Sequence, residues 1–463
     1  MYFENFKEKF QEALDTVSVE KPAIAPVAKR EPAPEARQAQ QKNLLRLEDF
    51  HAYMPMHSYI YAPTRDMWAA ASVNARLPSM VDPNGKPMRA SRWLDVNAPV
   101  EQMTWAPGEP MLIKDRIISE GGWIEHAGNT IFNLYRPPTI ELGDPAKATP
   151  WLDHGHKLFG DDAPHLLKWL ASRVQRPEVK INHAPVLGGG QGIGKDTFLE
   201  PVKEAVGAWN FIEISPQHII GRFNGYLKST ILRINEARDL GDIDRYGMYE
   251  HMKAYTASPP DVLRVDEKNL REYSILNCTG VIVTTNHKTN GIYLPADDRR
   301  HFVAWSDLTK DDFNEEYWSK LWSWYHDGGN EHVAAYLHAL DISSFDPEAP
   351  PPKTAAFWEI VNASRAPEDD EMADAIEALG SPPALTLGQL AAYAHDEFRE
   401  WMRDRKNARL IPHRLETCRY VAVACETTKD GRWKIHGRRQ VVYAKADLPL
   451  RDRIVAAREL AER

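Results

Sequence analysis

Glycine stands at Gly188, Gly189, Gly190, Gly192 and Gly194, and Lys195 follows at once. A backbone that turns its N–H groups inward around a polyphosphate needs left-handed conformations and close approach, which glycine allows. Gly189 to Lys195 completes Gly-x-x-x-x-Gly-Lys, in which the lysine reaches the outer phosphates as a point charge. The nucleotide-binding candidates are therefore Gly189, Gly190, Gln191, Gly192, Ile193, Gly194, Lys195, Asp196 and Thr197. Asp196 stands where a Ser or Thr usually holds Mg²⁺, and Thr197 comes one residue late. Either of the two could meet the metal, and the sequence leaves both open.

Four further groups fit phosphoryl chemistry. Glu236 follows the apolar run Ile231 to Ile234, where a carboxylate could polarise water and help hold the metal beside Asp196 or Thr197. Asn235 takes the place of a second acid. Asn286 closes the run Thr279 to Thr285, at the tip of which an amide can bond a γ phosphate and the attacking water. Between these strands, Asp261 to Asn269 alternates and then turns, which predicts a hairpin carrying Arg264 and tipped by Lys268. Arg299 and Arg300 follow the acidic pair Asp297 and Asp298.

These residues require a scaffold of strand, loop and helix. Val186 and Leu187 lead into the loop as a strand, and Thr197, Phe198, Leu199, Val202 and Val206 continue from it at helical spacing. Asn210 to Ile214 reads as a second strand, and residues 161 to 178 as a helix with Leu166, Leu167, Trp169, Leu170 and Val174 on its apolar side. The expected fold class is α/β. Before it, residues 43–160 alternate in short runs and predict a mixed, β-rich domain, in which His154 and His156 lack further ligands at metal spacing. Phe3, Phe6, Phe10 and Leu14 stripe one amphipathic helix over residues 1–18, and residues 19–42 form a Pro and Ala rich tether. The core extends over 161–340 and includes Tyr317, Trp318, Leu321, Trp322 and Trp324, an aromatic helix read as core packing.

Beyond the core, residues 341–384 read as an acidic, Pro-rich linker and 385–463 as a basic domain. From Trp401 to Arg463 there are 16 Lys and Arg against 8 Asp and Glu, although the whole chain carries a net charge of −9. That total argues against simple coating of nucleic acid, so the charge distribution matters more than the sum. A helix over about 386–405, a shorter one around 412–416, a strand over 420–424 and a strand pair near 432–435 and 439–444 resemble a winged helix. Arg432, Lys434, Arg438 and Arg439 would then face phosphates. No apolar run approaches the ~18 residues of a membrane span, and the first ten residues lack the apolar core of a signal peptide. Cys278, Cys418 and Cys425 are too scattered for a disulfide or zinc framework, which fits a reducing cytoplasm.

Taken together, Gly189 to Thr197, Ile231 to Glu236, the Lys268 hairpin, Thr284 to Asn286 and Asp298 to Arg300 resemble the motifs of superfamily 3 helicases, and more narrowly those of phage and plasmid primase-helicases. Asn133 to Pro138 and Phe223 to Tyr226 resemble the same group. The resemblance implies an AAA+ type P-loop core, Mg²⁺ and ATP as cofactors, and a hexameric ring that moves along single-stranded or forked DNA. It carries Lys195 over as the phosphate contact, Thr197 as the Mg²⁺ contact, Glu236 as the catalytic acid, Asn286 as the sensor, Lys268 as the pore lysine, and Arg299 or Arg300 as a finger acting on a neighbouring subunit. It also implies a bacterial host cytoplasm; the apolar stripe of the first helix could dock a neighbouring subunit or a partner such as a separate primase or replication protein. No primase pattern of paired acids lies upstream, so unwinding without priming is expected. A helicase loader, a packaging motor or an origin initiator would share the loop and the sensor.

Overall fold

A computed structural model describes residues 45–235, 241–288, 291–363 and 367–462. The expected helix over 1–18, the tether over 19–42 and Glu236 lie outside the described residues. The chain divides into two compact units. The first takes in His57–Ala98 and the described residues up to Ala52. Here β1 (Phe50–Tyr53), β2 (Ser58–Tyr61) and β3 (Asp66–Ala69) lie side by side, and β2 and β3 pair antiparallel. Tyr59 donates to Asp95 Oδ1 at 2.9 Å, tying the sheet to the helix over Ala90–Asn97.

Pro99–Arg463 belongs to the second unit, so residues 99–160 fall with the core rather than with the segment before it. Its first sheet holds β4 (Gln102–Thr104), β5 (Leu112–Ser119) and the long β6 (Gly122–Asn133), in the order β4-β6-β5. Two helices follow, α1 (Thr149–Phe159) and α2 (Ala163–Gln175). The core strand β7 (Ala184–Gly189) then runs into the glycine loop and α3 (Lys195–Val206).

The next elements are β8 (Phe211–Ile214), β9 (Ile231–Ile234), α4 (Gly241–Thr256), the hairpin β10 (Val262–Val265) and β11 (Tyr273–Leu276), β12 (Gly280–Thr285) and β13 (His301–Ser306). Five of these strands form one parallel sheet in the order β8-β9-β12-β7-β13. Every residue of β7, β9 and β12 is buried, which is why these strands, Arg233 of β9 apart, read as apolar or small runs rather than as alternation. The chain leaves β7 for the far edge at β8 and returns to its other side at β13. The direction of winding therefore switches beside β7, and in open α/β sheets such a crevice at the carboxyl ends of the strands receives ligands.

Aromatic packing fixes the loop helix. Trp151 of α1 stacks on Phe198 of α3 with centroids 5.0 Å apart and donates from Nε1 to the Phe198 carbonyl at 2.8 Å. Both side chains are fully buried, and truncating an aromatic of this kind costs about 3–5 kcal/mol. Behind β7, His165 and His183 share an Nε2 to Nε2 hydrogen bond of 3.0 Å. Burial pushes His165 down to about 4 and His183 to about 3. Both rings are thus neutral in the folded chain near pH 6, while the unfolded chain takes up protons below about 6.5. This contribution to stability is complete above pH 6.5 and is lost as pH falls toward 4, by about 1.4 kcal/mol per pH unit for each proton taken up. Urea unfolding at pH 7.5 and 5 should show the fall, and His183→Leu should flatten it; an equal fall in that variant would show that the buried histidine pair is not its source.

After β13 come α5 (Glu315–Trp324) and α6 (Asn330–Ala339). The stretch 341–384, expected as a linker, contains α7 (Ala355–Ala363) and α8 (Pro367–Ala378). Phe357 and Ile360 are fully buried, and Met372, Ala375 and Ile376 join the core of the tail. Asp369 pairs with Arg414 at 2.7 Å, so the acidic stretch and the basic domain meet.

The tail holds β14 (Ala384–Thr386), α9 (Leu387–Tyr393), α10 (Asp396–Arg403), α11 (Leu410–Thr417), β15 (Tyr420–Val423), β16 (Trp433–Ile435), β17 (Arg438–Gln440), β18 (Val442–Lys445) and α12 (Leu450–Glu462). The single helix expected over 386–405 is two, because Ala394 and His395 are extended and Arg399 caps the break by donating to the Ala391 and Ala394 carbonyls. The second strand of the expected pair also splits. β17 turns back on β16 through His436 and Gly437, both at positive φ, while β18 is the centre of a separate sheet with β14 and β15.

Candidate nucleotide site

The loop leaves the carboxyl end of β7 at the switch point. Gly188 lies so close to Trp305 that a Cβ there would sit 2.0 Å from the indole. At Gly194 (φ +96°) a Cβ would meet Trp318 at 2.5 Å and His154 at 2.7 Å, so the last loop glycine is required both by conformation and by space. Lys195 opens α3, buried, with Nζ donating to the carbonyls of Gly189 (2.7 Å) and Gly190 (2.8 Å) and to Asn286 Oδ1 (2.8 Å). The structure thus joins the loop lysine to the amide at the tip of β12, two residues 91 positions apart. Neighbouring parallel strands in register, with Gly188 beside Thr285, make the meeting possible.

A cavity of about 270 Å³ opens over the loop. Lys195, Asp196, Thr197, Asn235 and Asn286 line it, as do Gln191, Gly192, Ile193 and Gly194. So does Arg233, which lies inside the stretch Ile231 to Glu236 but has no assigned role there. Its guanidinium pairs with Asp196 and with Glu213 (3.0 Å), and donates to Asn235 Oδ1 (3.1 Å) and to Thr284 Oγ1 (3.3 Å). Burying a cation costs several kcal/mol unless it is matched this fully. A charged residue inside the strand Ile-Leu-Arg-Ile was the available signal. The ion pair engages Asp196, whose side chain is otherwise exposed, whereas Thr197 is buried in the first turn of α3 with its carbonyl accepting from Tyr325 at 3.0 Å.

His154 is a second residue whose place only the fold reveals. It is fully buried under the end of the loop, with Nε2 3.0 Å from the Gly194 carbonyl and Nδ1 2.7 Å from the Tyr317 hydroxyl. Burial lowers its pKa, the bond to Gly194 opposes that, and the charge of Lys157 lowers it further. The neutral ring thereby ties the loop to α5. Trp318 and Trp322, both on α5, line the cavity as well. Tyr317, Trp318 and Trp324 are partly buried against the core as expected, and Leu321 is buried, but Trp322 remains 39% exposed.

The other candidates stand apart from the loop. Lys268 is exposed in the turn that joins β10 to β11, and Asn269 beside it has φ +65°. The hairpin is anchored at its base: Thr104 of β4 donates to the Ser274 carbonyl at 2.9 Å, and Leu276 packs on the core of the β4-β6-β5 sheet. Glu267 secures the turn by accepting from Lys228 (2.8 Å) and Tyr273 (2.6 Å). Arg264 is exposed and pairs with Glu120 and, at 3.8 Å, with Glu272.

Arg299 is exposed and Arg300 half-buried, and both line a different cavity with Tyr249, Lys253 and Asp297. Asp298 binds neither guanidinium. It is buried, and accepts from the backbone N–H groups of Arg300 and His301 (both 2.9 Å), from the Tyr249 hydroxyl (2.9 Å) and from His301 Nδ1 (3.1 Å). Burial alone would raise this carboxyl; the charge of His301 and the hydrogen bonds outweigh it and hold it well below the usual range. In the tail, Arg432, Lys434, Arg438 and Arg439 are all exposed, and Lys434 pairs with Arg439 across the β16–β17 hairpin. Arg439 also contacts Asp430 at 3.1 Å.

Residues 187–300 match a family of unknown function, DUF5906. No curated protein matches the chain. Among solved structures it is similar to the apo C-terminal region of NrS-1 (residues 305–718), with a TM-score of 0.56 and 14% identity over 88% of this chain and 98% of that one. An A-form apo structure of the same region gives 0.55 at 14% identity, with the same coverage of both chains. The fold is therefore shared along most of the length. A structure of JCV helicase aligns over 51% of this chain and 66% of its own at a TM-score of 0.27 and 8% identity, too loosely to bear on function. No helix among the described residues is long and apolar enough to cross a membrane.

Proposed function

We propose that this chain is an ATP-dependent DNA helicase of superfamily 3 type, with an AAA+ core that assembles into a ring, a hexamer by family resemblance, and moves along single-stranded DNA. The observation that carries the reading is the Lys195–Asn286 contact at the switch point of a five-stranded parallel sheet, with a lysine-tipped hairpin inserted between β9 and β12. In the strand order β8-β9-β12-β7-β13, β12, which ends before Asn286, lies between β7, which feeds the loop, and β9, after which Glu236 follows in sequence. Lys195 and the loop N–H groups hold the triphosphate, Asn286 orients water and the γ phosphate, and Glu236 polarises that water.

Thr197 suits Mg²⁺ better than Asp196 does, because Arg233 already takes a carboxylate oxygen of Asp196 and brings a positive charge to that position. When bound with nucleotide, Mg²⁺ would neutralise charge developing on the β and γ oxygens. The exposed basic hairpin of the tail supports contact with duplex at a fork, through Arg432, Lys434, Arg438 and Arg439, and the tail is read as winged-helix-like.

Strand displacement on a tailed duplex, with ATPase measured with and without single-stranded DNA, tests the reading; ATPase without displacement would favour a loader or an origin initiator. Lys268→Ala is expected to keep basal ATPase and to lose its stimulation by DNA. One lost phosphate contact changes the salt slope by only ~0.7, but the loss recurs in every subunit of a ring. Unchanged stimulated unwinding would remove Lys268 from the DNA path.

A further inference from the structure

The loop, Lys195 and Asn286 account for the phosphates of a nucleotide but for nothing beyond them. Backbone N–H groups at the start of α3 receive the inner phosphates and the lysine the outer ones, so sugar and base must leave over the first turn of α3. The element over that turn is α5. Trp318 reaches Gly194, and Tyr325 just past the end of α5 donates to the Thr197 carbonyl, so Trp322 lies between two points that touch the loop helix. Residues four apart on a helix share a face about 6 Å apart, and both indoles line the same cavity as Lys195.

The two indoles differ in what they already do. Trp318 stacks on Phe313 with centroids 5.0 Å apart and meets His154 edge-on, so packing occupies it. Trp322 meets Tyr325 edge to face at 5.6 Å and the His326 ring, tilted, at 6.3 Å, and remains 39% exposed. A large indole held by its neighbour and half open inside a polar cavity is a stacking surface.

Resting on the nucleotide reading above, we infer that Trp322 is the platform on which the nucleobase of the bound nucleoside triphosphate stacks, with Trp318 as the wall that holds the loop end beneath it. The α5 side of the cavity supplies these two indoles, while the charged and amide groups come from the loop and the sheet. Base and phosphates are therefore gripped by different elements and can be separated by substitution.

Calorimetric titration of the full chain with ATP and with inorganic tripolyphosphate, both with Mg²⁺, tests this. Stacking on an aromatic is worth about 5- to 100-fold in affinity, so Trp322→Ala should weaken ATP by about tenfold or more and leave tripolyphosphate unchanged. Trp322→Phe should restore ATP binding to within about threefold, since it keeps the aromatic face. Unchanged ATP affinity in Trp322→Ala, or equal weakening of both ligands, overturns the platform. Failure of the underlying reading looks different: the unsubstituted chain would then bind neither ligand, or Lys195→Ala would still bind tripolyphosphate.

Discussion

Alanine in place of Lys195 is expected to abolish nucleotide binding, and with it ATP hydrolysis and unwinding. The ammonium has three donors, and the structure directs them at the Gly189 and Gly190 carbonyls and at Asn286 within 2.8 Å. Phosphate oxygens placed in the loop compete for these same donors, and each charge-assisted bond lost costs about 1.5–3 kcal/mol. Two such bonds correspond to a fall in affinity of roughly 10²- to 10⁴-fold. Arginine should not rescue, because its planar fork cannot sit where a compact point charge is enclosed by the loop. Titration with ATP, alongside thermal unfolding to confirm that the variant folds, measures the effect; a dissociation constant within tenfold of the unsubstituted chain would show that the loop does not bind phosphate through this lysine.

The second large effect concerns Arg299 and Arg300. Arg300 immediately precedes β13, and its carbonyl accepts from Ala184 N–H at the start of β7. The loop is at the other end of β7, six parallel residues away, a distance of about 20 Å that no arginine side chain covers. Within one chain, then, neither arginine reaches the loop or Lys195. Any action on a γ phosphate must be on that of a neighbouring subunit, and Asp298 leaves both guanidiniums available by spending its oxygens on Tyr249, His301 and the backbone.

A finger acting in trans is worth ~10³ to 10⁵ in rate, so alanine at the active one should bind ATP normally and hardly turn over. Mixing decides the matter. A finger-less subunit and a Lys195→Ala subunit, each inactive alone, should recover ATPase in mixed rings, where some junctions pair an intact loop with an intact finger. Mixed rings without recovery would exclude the trans role, and the distance within one chain would then remove the arginines from catalysis.

How much of the molecule was legible from residue order follows from how local each feature is. The glycine loop could be read because its requirements, glycine at strained positions and a lysine opening a helix, concern adjacent residues. The strands β7, β9 and β12 could be read because parallel strands buried on both faces are mostly apolar, with Arg233 the charged exception in β9. The hairpin under Lys268 announced itself by alternation and a turn. The tail was harder: capping by Arg399 breaks one expected helix in two, and β18 leaves its expected partner for a sheet whose other strands lie 19 or more residues away.

The sequence by itself determined which groups are available: a glycine loop closed by a lysine, an amide after one strand, an acid after another, and a pair of arginines. Only the tertiary structure decided who meets whom. The order of strands brings Asn286 to Lys195, and burial leads Arg233 to pair with Asp196. Packing of α5 against α3 takes Trp322 out of the core and leaves it over the cavity, while the length of β7 and β13 keeps Arg299 and Arg300 away from their own loop. The physical reason is the same in each case. Local patterns record what a residue needs from its own backbone, whereas contacts between residues tens of positions apart depend on which strands lie side by side and which face of a helix the core has already taken.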